Sequence, residues 1–170
     1  TILYFIILYL TRVPKLRRTL ESVCKQTHTC WEAICVDDGS DMELLPIIEA
    51  LGDPRIFYYR LTEHTNANVA RNYGILHSRG AYVAMLDSND EWLESHLEDS
   101  LRILSEGHTD CVYSSLILRG KTDSVFTTRA VNDSETMIDF LLSTGYGAQT
   151  STLVMTTSSA KEILWDEKLH

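Results

Sequence analysis

Two short acidic clusters carry the chemistry that this chain displays. Asp37 and Asp38 stand in Val36-Asp37-Asp38-Gly39-Ser40, and Asp87, Asn89 and Asp90 stand in Asp87-Ser88-Asn89-Asp90. Each follows an apolar run of strand character. In an open α/β sheet, ligands sit beyond the carboxyl ends of the strands. Carboxylates there offer hard oxygen donors that suit Mg²⁺ or Mn²⁺, and a cation so held neutralises charge on a departing diphosphate. Arg71, in Asn68-Val69-Ala70-Arg71-Asn72, adds a forked cation that fits phosphate or carboxylate.

Plainer uses exist for all of these. Asp37-Asp38-Gly39-Ser40 equally suits a turn and a helix N-cap. Ser40 with Glu43, and Ser88 with Glu91, have capping-box spacing. Arg71 suits a solvated helix face, and Trp92 suits packing better than a ligand stack. Two acidic clusters after sheet strands shift the balance toward chemistry, but modestly.

The elements that must hold these groups alternate along the chain. Apolar runs at about 2–9, 32–36, 56–60 and 81–86 read as strands. Helical stripes separate them: Leu16, Leu20, Val23 and Cys24, with Pro14 in the first turn; Leu44, Ile48 and Leu51; and Val69, Tyr73 and Leu76 within 66–77. Leu93, Leu97, Leu101 and Leu104 mark a fourth helix. Runs at 111–118 and 124–128 read as strands joined by a turn, a short helix covers about 135–143, and 152–155 is a last apolar strand. Strand and helix in alternation predict an α/β fold with a largely parallel sheet.

Composition sets outer bounds. The chain has 170 residues, with 44% apolar and 23% charged, and is expected to form one domain over 1–170. A net charge of −9 repels phosphate backbones, which argues against a nucleic-acid partner. Four cysteines, Cys24, Cys30, Cys35 and Cys111, lack C-x-x-C spacing, which disfavours zinc. Cys35 and Cys111 lie in apolar runs, where buried free thiols are expected. The nine-residue opening apolar run is too short for a membrane-spanning helix. No G-x-G-x-x-G, Walker A loop or G-x-S-x-G elbow is present, which disfavours dehydrogenase, P-loop and α/β-hydrolase chemistry.

The order of motifs carries a resemblance. Leu16-Arg17-Arg18-Thr19-Leu20-Glu21-Ser22-Val23, Gln26-Thr27 and Trp31-Glu32 come first, then Val36-Asp37-Asp38-Gly39-Ser40. Asp53-Pro54-Arg55-Ile56, Ala70-Arg71-Asn72, Gly74-Ile75 and Leu86-Asp87-Ser88-Asn89-Asp90-Glu91-Trp92 follow. Thr150-Ser151-Thr152-Leu153-Val154 and Trp165-Asp166-Glu167-Lys168-Leu169 close the series. In this order and spacing the chain resembles family 2 glycosyltransferases of the GT-A fold. That resemblance implies a Rossmann-like three-layer α/β/α sandwich. It implies inverting transfer of a sugar from a nucleotide-diphosphate sugar, with UDP preferred, to a saccharide or lipid-linked acceptor.

It also implies roles. Tyr9, Arg12, Asp37, Asp38, Arg71 and Asp87 would bind the nucleotide sugar, with Asp38 preferred at the base. Asp87, Asn89 and Asp90 would hold Mg²⁺ or Mn²⁺. The general base is expected beyond His170, so the chain reads as truncated at its C-terminus. A cytoplasmic place at the inner membrane face, with peripheral membrane association, is the class-level expectation. Two departures mark the chain: Leu8-Tyr9-Leu10-Thr11-Arg12 stands where the family has Pro-Thr-Tyr-Asn-Arg, and Asn89 stands where it has a second acid. They keep a non-catalytic nucleotide-sugar binder, or inactive homologue, open as an alternative. A phospho-receiver domain is a third, weaker one, because the acidic pair here follows the second strand.

Overall fold

The structure is a computed structural model that describes residues 3–8, 13–143 and 147–169. Four strands run parallel: β1 (Leu3–Leu8), β2 (Trp31–Asp37), β3 (Ile56–Arg60) and β4 (Tyr82–Asp87). With β5 (Cys111–Val112) and β8 (Val154–Thr156) they form one sheet in the order β3-β2-β1-β4-β8-β5. Only β8 runs against its neighbours. A separate hairpin pairs β6 (Leu116–Leu118) with β7 (Ser124–Phe126). The helices are α1 (Val13–Cys24), α2 (Leu45–Leu51), α3 (Ala67–His77), α4 (His96–Ser105), α5 (Met137–Leu142) and α6 (Thr157–Ile163).

The period of two along the strands builds two apolar layers. Trp31, Ala33 and Cys35 of β2, with Ala84 and Leu86 of β4, face α1, α2 and α4, where Leu20 and Val23 are fully enclosed. Ile34 and Val36, with Val83 and Met85, face α3 and α6 through Ala70, Ile75 and Ala160. Strands buried on both sides must be apolar throughout, which is why the runs at 32–36 and 81–86 lack polar alternation. Truncating Leu20 to alanine would cost about 2–5 kcal/mol. The result is the expected α/β/α sandwich with a mostly parallel sheet.

Register brings the two acidic clusters to one edge. Leu8 of β1 is paired with Val36 on one side and with Asp87 on the other. The clusters therefore emerge at nearly the same height from strands on either side of β1.

Several expectations are corrected. Helix α3 turns Ala70, Asn72, Gly74 and Ile75 inward, whereas Leu76 is exposed. Asn66 caps that helix by accepting from the Asn68 and Val69 amides, at 2.9 and 3.0 Å. Ser40 is no cap for α2: Leu44 holds that position, and the Ser40 hydroxyl donates to the Met42 carbonyl. Nor does Ser88 cap α4, which starts only at His96. Leu93 lies outside α4 and is exposed, while Trp92 takes the buried place. The run at 111–118 splits, because Tyr113 and Ser115 bond to Arg129 and Thr128 and draw the chain out of the main sheet. Cys35 is buried, with its thiol pushed up to about 12 by desolvation, but Cys111 is only partly covered. Helix α6 has no counterpart in the apolar pattern.

Candidate functional site

Two corners face the carboxyl edge of the sheet, one at the end of β2 and one at the end of β4. At the first, Asp37 is wholly buried. Its Oδ1 accepts the Ser40 amide at 2.8 Å, and its Oδ2 accepts the Tyr58 hydroxyl at 2.6 Å. The Arg60 Nε lies 3.9 Å from Oδ2. Burial, then the bond to Asp37, raises the Tyr58 phenol well above its ordinary range, so it stays a donor. The chain then reverses at Gly39 with φ +73°, where a Cβ would stand 2.9 Å from the His64 amide nitrogen. Only glycine meets both demands.

Asp38 is nearly as enclosed, but its partners differ. Oδ1 accepts the amide and hydroxyl of Thr65 at 2.9 and 2.7 Å. Oδ2 lies 3.1 Å from Nδ1 of His64, a side chain that is 74% exposed. The same ring nitrogen is 2.7 Å from the Asp38 carbonyl. One oxygen of Asp38 is thus tied to the fold, and the other is met, among the described residues, by a surface ring.

The β4 corner is built around an ion pair. Arg71 Nη2 donates to Asp87 Oδ1 at 3.0 Å, and Nη1 donates to Asn68 Oδ1 at 3.1 Å. The guanidinium lies 4.9 Å from the Trp165 ring centroid. Its side chain is 13% exposed and that of Asp87 27%, so the pair is neither a solvated surface bridge nor sealed away. Asn72, buried beside it on α3, holds Trp165 by accepting its amide at 2.8 Å and donating to its carbonyl at 2.9 Å. Arg71 is therefore a fixed group, in place of the solvated helix residue that its position also allowed.

Residues 87–92 are clamped from three sides. The Thr19 hydroxyl lies 2.9 and 2.7 Å from the carbonyls of Ser88 and Asp90. Ser151 accepts the Asp87 amide at 3.0 Å and donates to Asp90 Oδ2 at 2.6 Å. Trp92 donates from Nε1 to the Ser151 carbonyl at 2.6 Å and stacks on His96 with centroids 4.7 Å apart. Trp92 is thus a packing residue. Burial depresses the His96 pKa to about 4, a shift that Asp99 partly opposes.

The donor set at this turn suits a shared cation. Asp87 Oδ2 and Asp90 Oδ1 have no hydrogen-bond partner among the described residues, and Asn89 is exposed. Among those residues no three His, Cys, Asp or Glu side chains converge into a cage. Carboxylate and amide oxygens are the donor types that a Mg²⁺- or Mn²⁺-type ion would take.

Asp37, Asp38, Arg71, Asp87, Asn89 and Asp90 thus lie at one edge, but only Arg71 and Asp87 of these are joined by their side chains. Tyr9 and Arg12 lie outside the described residues. Sequence reasoning missed Tyr58, His64, Thr65, Thr19 and Ser151 as partners. A hydroxyl or an imidazole without periodic context gives no local signal of a bond to a residue dozens of positions away.

The family model described as glycosyl transferase family 2 matches residues 4–160. The putative teichuronic acid biosynthesis glycosyltransferase TuaG of Bacillus subtilis (strain 168) is 39% identical over 99 residues, covering 56% of this chain and 38% of that protein. The amylovoran biosynthesis glycosyltransferase AmsB of Erwinia amylovora is 29% identical over 162 residues, covering 88% of this chain and 54% of that protein. The crystal structure of S. aureus TarS 1–349 superposes with a TM-score of 0.79 at 23% identity, over 99% of this chain and 51% of that one. Its complex with UDP-GlcNAc gives 0.77 at 21% identity, over 98% and 49%. The chain therefore spans about half, or less, of the length of these proteins.

Proposed function

The chain belongs to glycosyl transferase family 2 and has the GT-A fold, and on that premise we propose that its carboxyl edge binds a nucleoside-diphosphate sugar, with UDP as the nucleotide, for transfer to an acceptor hydroxyl. The observation that carries this is the Arg71–Asp87 pair, held partly open at the end of β4. Arg71 offers the diphosphate a cation that is already ordered, so little side-chain entropy is lost on binding. TarS, whose fold this chain shares, has been crystallised with UDP-GlcNAc, which supports a UDP-sugar as donor.

Roles follow from what each group has left to offer. Asp38 would accept a base N–H at Oδ2 once the exposed His64 ring swings aside. Asp37, expected at the nucleotide, would act there through the loop that it holds, because its oxygens already serve Ser40 and Tyr58. Asp87, Asn89 and Asp90 would hold a divalent cation at the diphosphate. When bound, that ion supplies Lewis-acid neutralisation of the leaving nucleoside diphosphate. Arg71 would hold the leaving phosphate, and Trp165 would keep the guanidinium aimed at it. Tyr9 and Arg12 keep their proposed place beside the nucleotide.

The transfer is proposed to invert the anomeric centre, with a carboxylate base taking the acceptor proton. The acceptor would be a saccharide or a lipid-linked saccharide. Among the described residues no helix is long and apolar enough to cross a membrane; peripheral association at the inner membrane face is part of the proposal. Residues 1–170 are proposed to act as one nucleotide-sugar-binding domain.

Thermal unfolding with UDP and Mn²⁺ tests the donor site. The melting temperature should rise with ligand concentration. No shift with any nucleoside diphosphate, with or without metal, would refute it. NMR of a product made with a UDP-sugar reads the anomeric configuration, and a retained configuration would rule out inversion.

A further inference from the structure

We propose that Ser151 is a positioning residue that ties the Asp90 carboxylate to the end of β4 and thereby sets how strongly the Asp87–Asp90 turn holds a divalent cation beside a nucleoside diphosphate. The inference rests on the donor-site reading above and adds a residue to it.

The proton assignment is forced. A backbone amide can only donate, so the Asp87 N–H, 3.0 Å away, occupies a lone pair on Ser151 Oγ. The hydroxyl proton is then free for Asp90 Oδ2 at 2.6 Å, a length typical of a hydroxyl bonded to an ionised carboxylate. One oxygen thus joins the main chain of Asp87 to the side chain of Asp90. Without that bond, Asp90 would be an exposed carboxylate free to rotate. With it, Oδ2 is committed and Oδ1 carries the open coordination.

Ser151 is itself held. It is 8% exposed, and its carbonyl accepts Trp92 Nε1 at 2.6 Å. It sits in a single 3-10 turn, Thr150–Thr152, closed by the bond from the Thr152 amide to the Gln149 carbonyl. The direction of β8 puts that turn beside Asp87. A strand antiparallel to β4 begins where β4 ends, so the residues just before Val154 reach the site edge. Groups that orient metal ligands typically alter metal affinity by about 10–100-fold when removed.

The test is binding rather than turnover. UDP affinity is measured by calorimetry with and without Mn²⁺, and bound Mn²⁺ is counted by EPR in the presence of UDP. In the wild-type chain Mn²⁺ should strengthen UDP binding. Ser151→Ala should lose about tenfold of that metal-dependent gain while its metal-free UDP affinity stays unchanged. Ser151→Thr, which keeps a hydroxyl, should restore the gain. A full wild-type gain in Ser151→Ala overturns the proposal, as does an equal loss with and without Mn²⁺, which would mark a purely structural role. If Ser151→Ala fails to fold, Ser151→Cys serves instead, keeping the size of the side chain but replacing the hydroxyl by a weak thiol donor: the same selective loss supports the link, and a full wild-type gain overturns it. A wild-type chain that binds UDP with no response to Mn²⁺ overturns the metal reading and this inference together. A chain that binds no UDP at all overturns the donor site itself.

Discussion

The corner at the end of β2 and the corner at the end of β4 start from the same chemistry, adjacent acids after a buried strand, and reach opposite states. Around Asp37 every carboxylate oxygen is met by a donor of the chain itself, and the loop beyond it runs so close to His64 that a side chain at Gly39 would not fit. Around Asp87 and Asp90 each carboxylate spends one oxygen on the fold, and the other has no hydrogen-bond partner among the described residues. A carboxylate whose valences are filled internally builds the site, and one half-filled serves it. Asp38 stands between, with one oxygen bound to Thr65 and the other behind an exposed histidine.

The contrast is easiest to break at Asp37. Asp37→Ala leaves a buried phenol and amide without an acceptor, so it should cost roughly 2–4 kcal/mol of stability, read by urea unfolding. A cost below about 1 kcal/mol would mean that this corner is not a scaffold. UDP affinity measured on the fraction that remains folded should change little.

pH acts on the β4 corner from beneath. His96, under Trp92, has its pKa lowered from 6.5 to about 4. The folded state therefore binds this proton less readily than the unfolded state. Stability contributed by neutral burial is complete above pH 6.5 and falls as pH drops toward 4. Between pH 8 and 5 the loss should be about 2 kcal/mol. His96→Phe, which keeps an aromatic ring against Trp92, should flatten that slope; an unchanged slope would place the titration elsewhere.

Arg71→Ala comes next. It should weaken UDP binding at least about tenfold, or 1.4 kcal/mol, with Arg71→Lys falling between because a point charge replaces the fork. Equal UDP affinity in all three proteins would remove Arg71 from the site. The smallest effect is a gain. Asn89→Asp adds a charged donor to the open turn and should tighten Mn²⁺ in the UDP complex by about threefold to tenfold, measured by EPR. No tightening would show that Asn89 does not face the cation.

How much of this could be read in advance depended on how local each feature is. The strands were visible because burial on both faces demands uninterrupted apolar runs, as at 33–36. Their ends located Asp37, Asp38 and Asp87. Helix α6 was not visible: it starts on Thr157-Ser158-Ser159 and buries little beyond Thr157 and Ala160. The break between β5 and β6 was hidden because Cys111–Leu118 is apolar enough for one strand, and the bonds that Tyr113 donates to the Arg129 carbonyl and Ser115 accepts from the Thr128 amide decide otherwise. Within the site, the partners that separate filled from half-filled carboxylates are 21, 27 and 61 residues away for Asp37, Asp38 and Asp90. No window of local pattern spans such distances. Which acid is a scaffold and which is available is a property of the tertiary structure.

The direction of β8 has a consequence for engineering. Strand β5 leaves the sheet at Val112 and β8 returns at Val154, and the two are paired antiparallel with those residues face to face. The excursion between them therefore departs and re-enters on the same rim as the acidic turn. It is a cassette with both splice points side by side. Exchanging residues 113–149 of it for the corresponding stretch of a relative would keep Ser151 and every strand of the main sheet in place, so libraries aimed at new acceptors belong there.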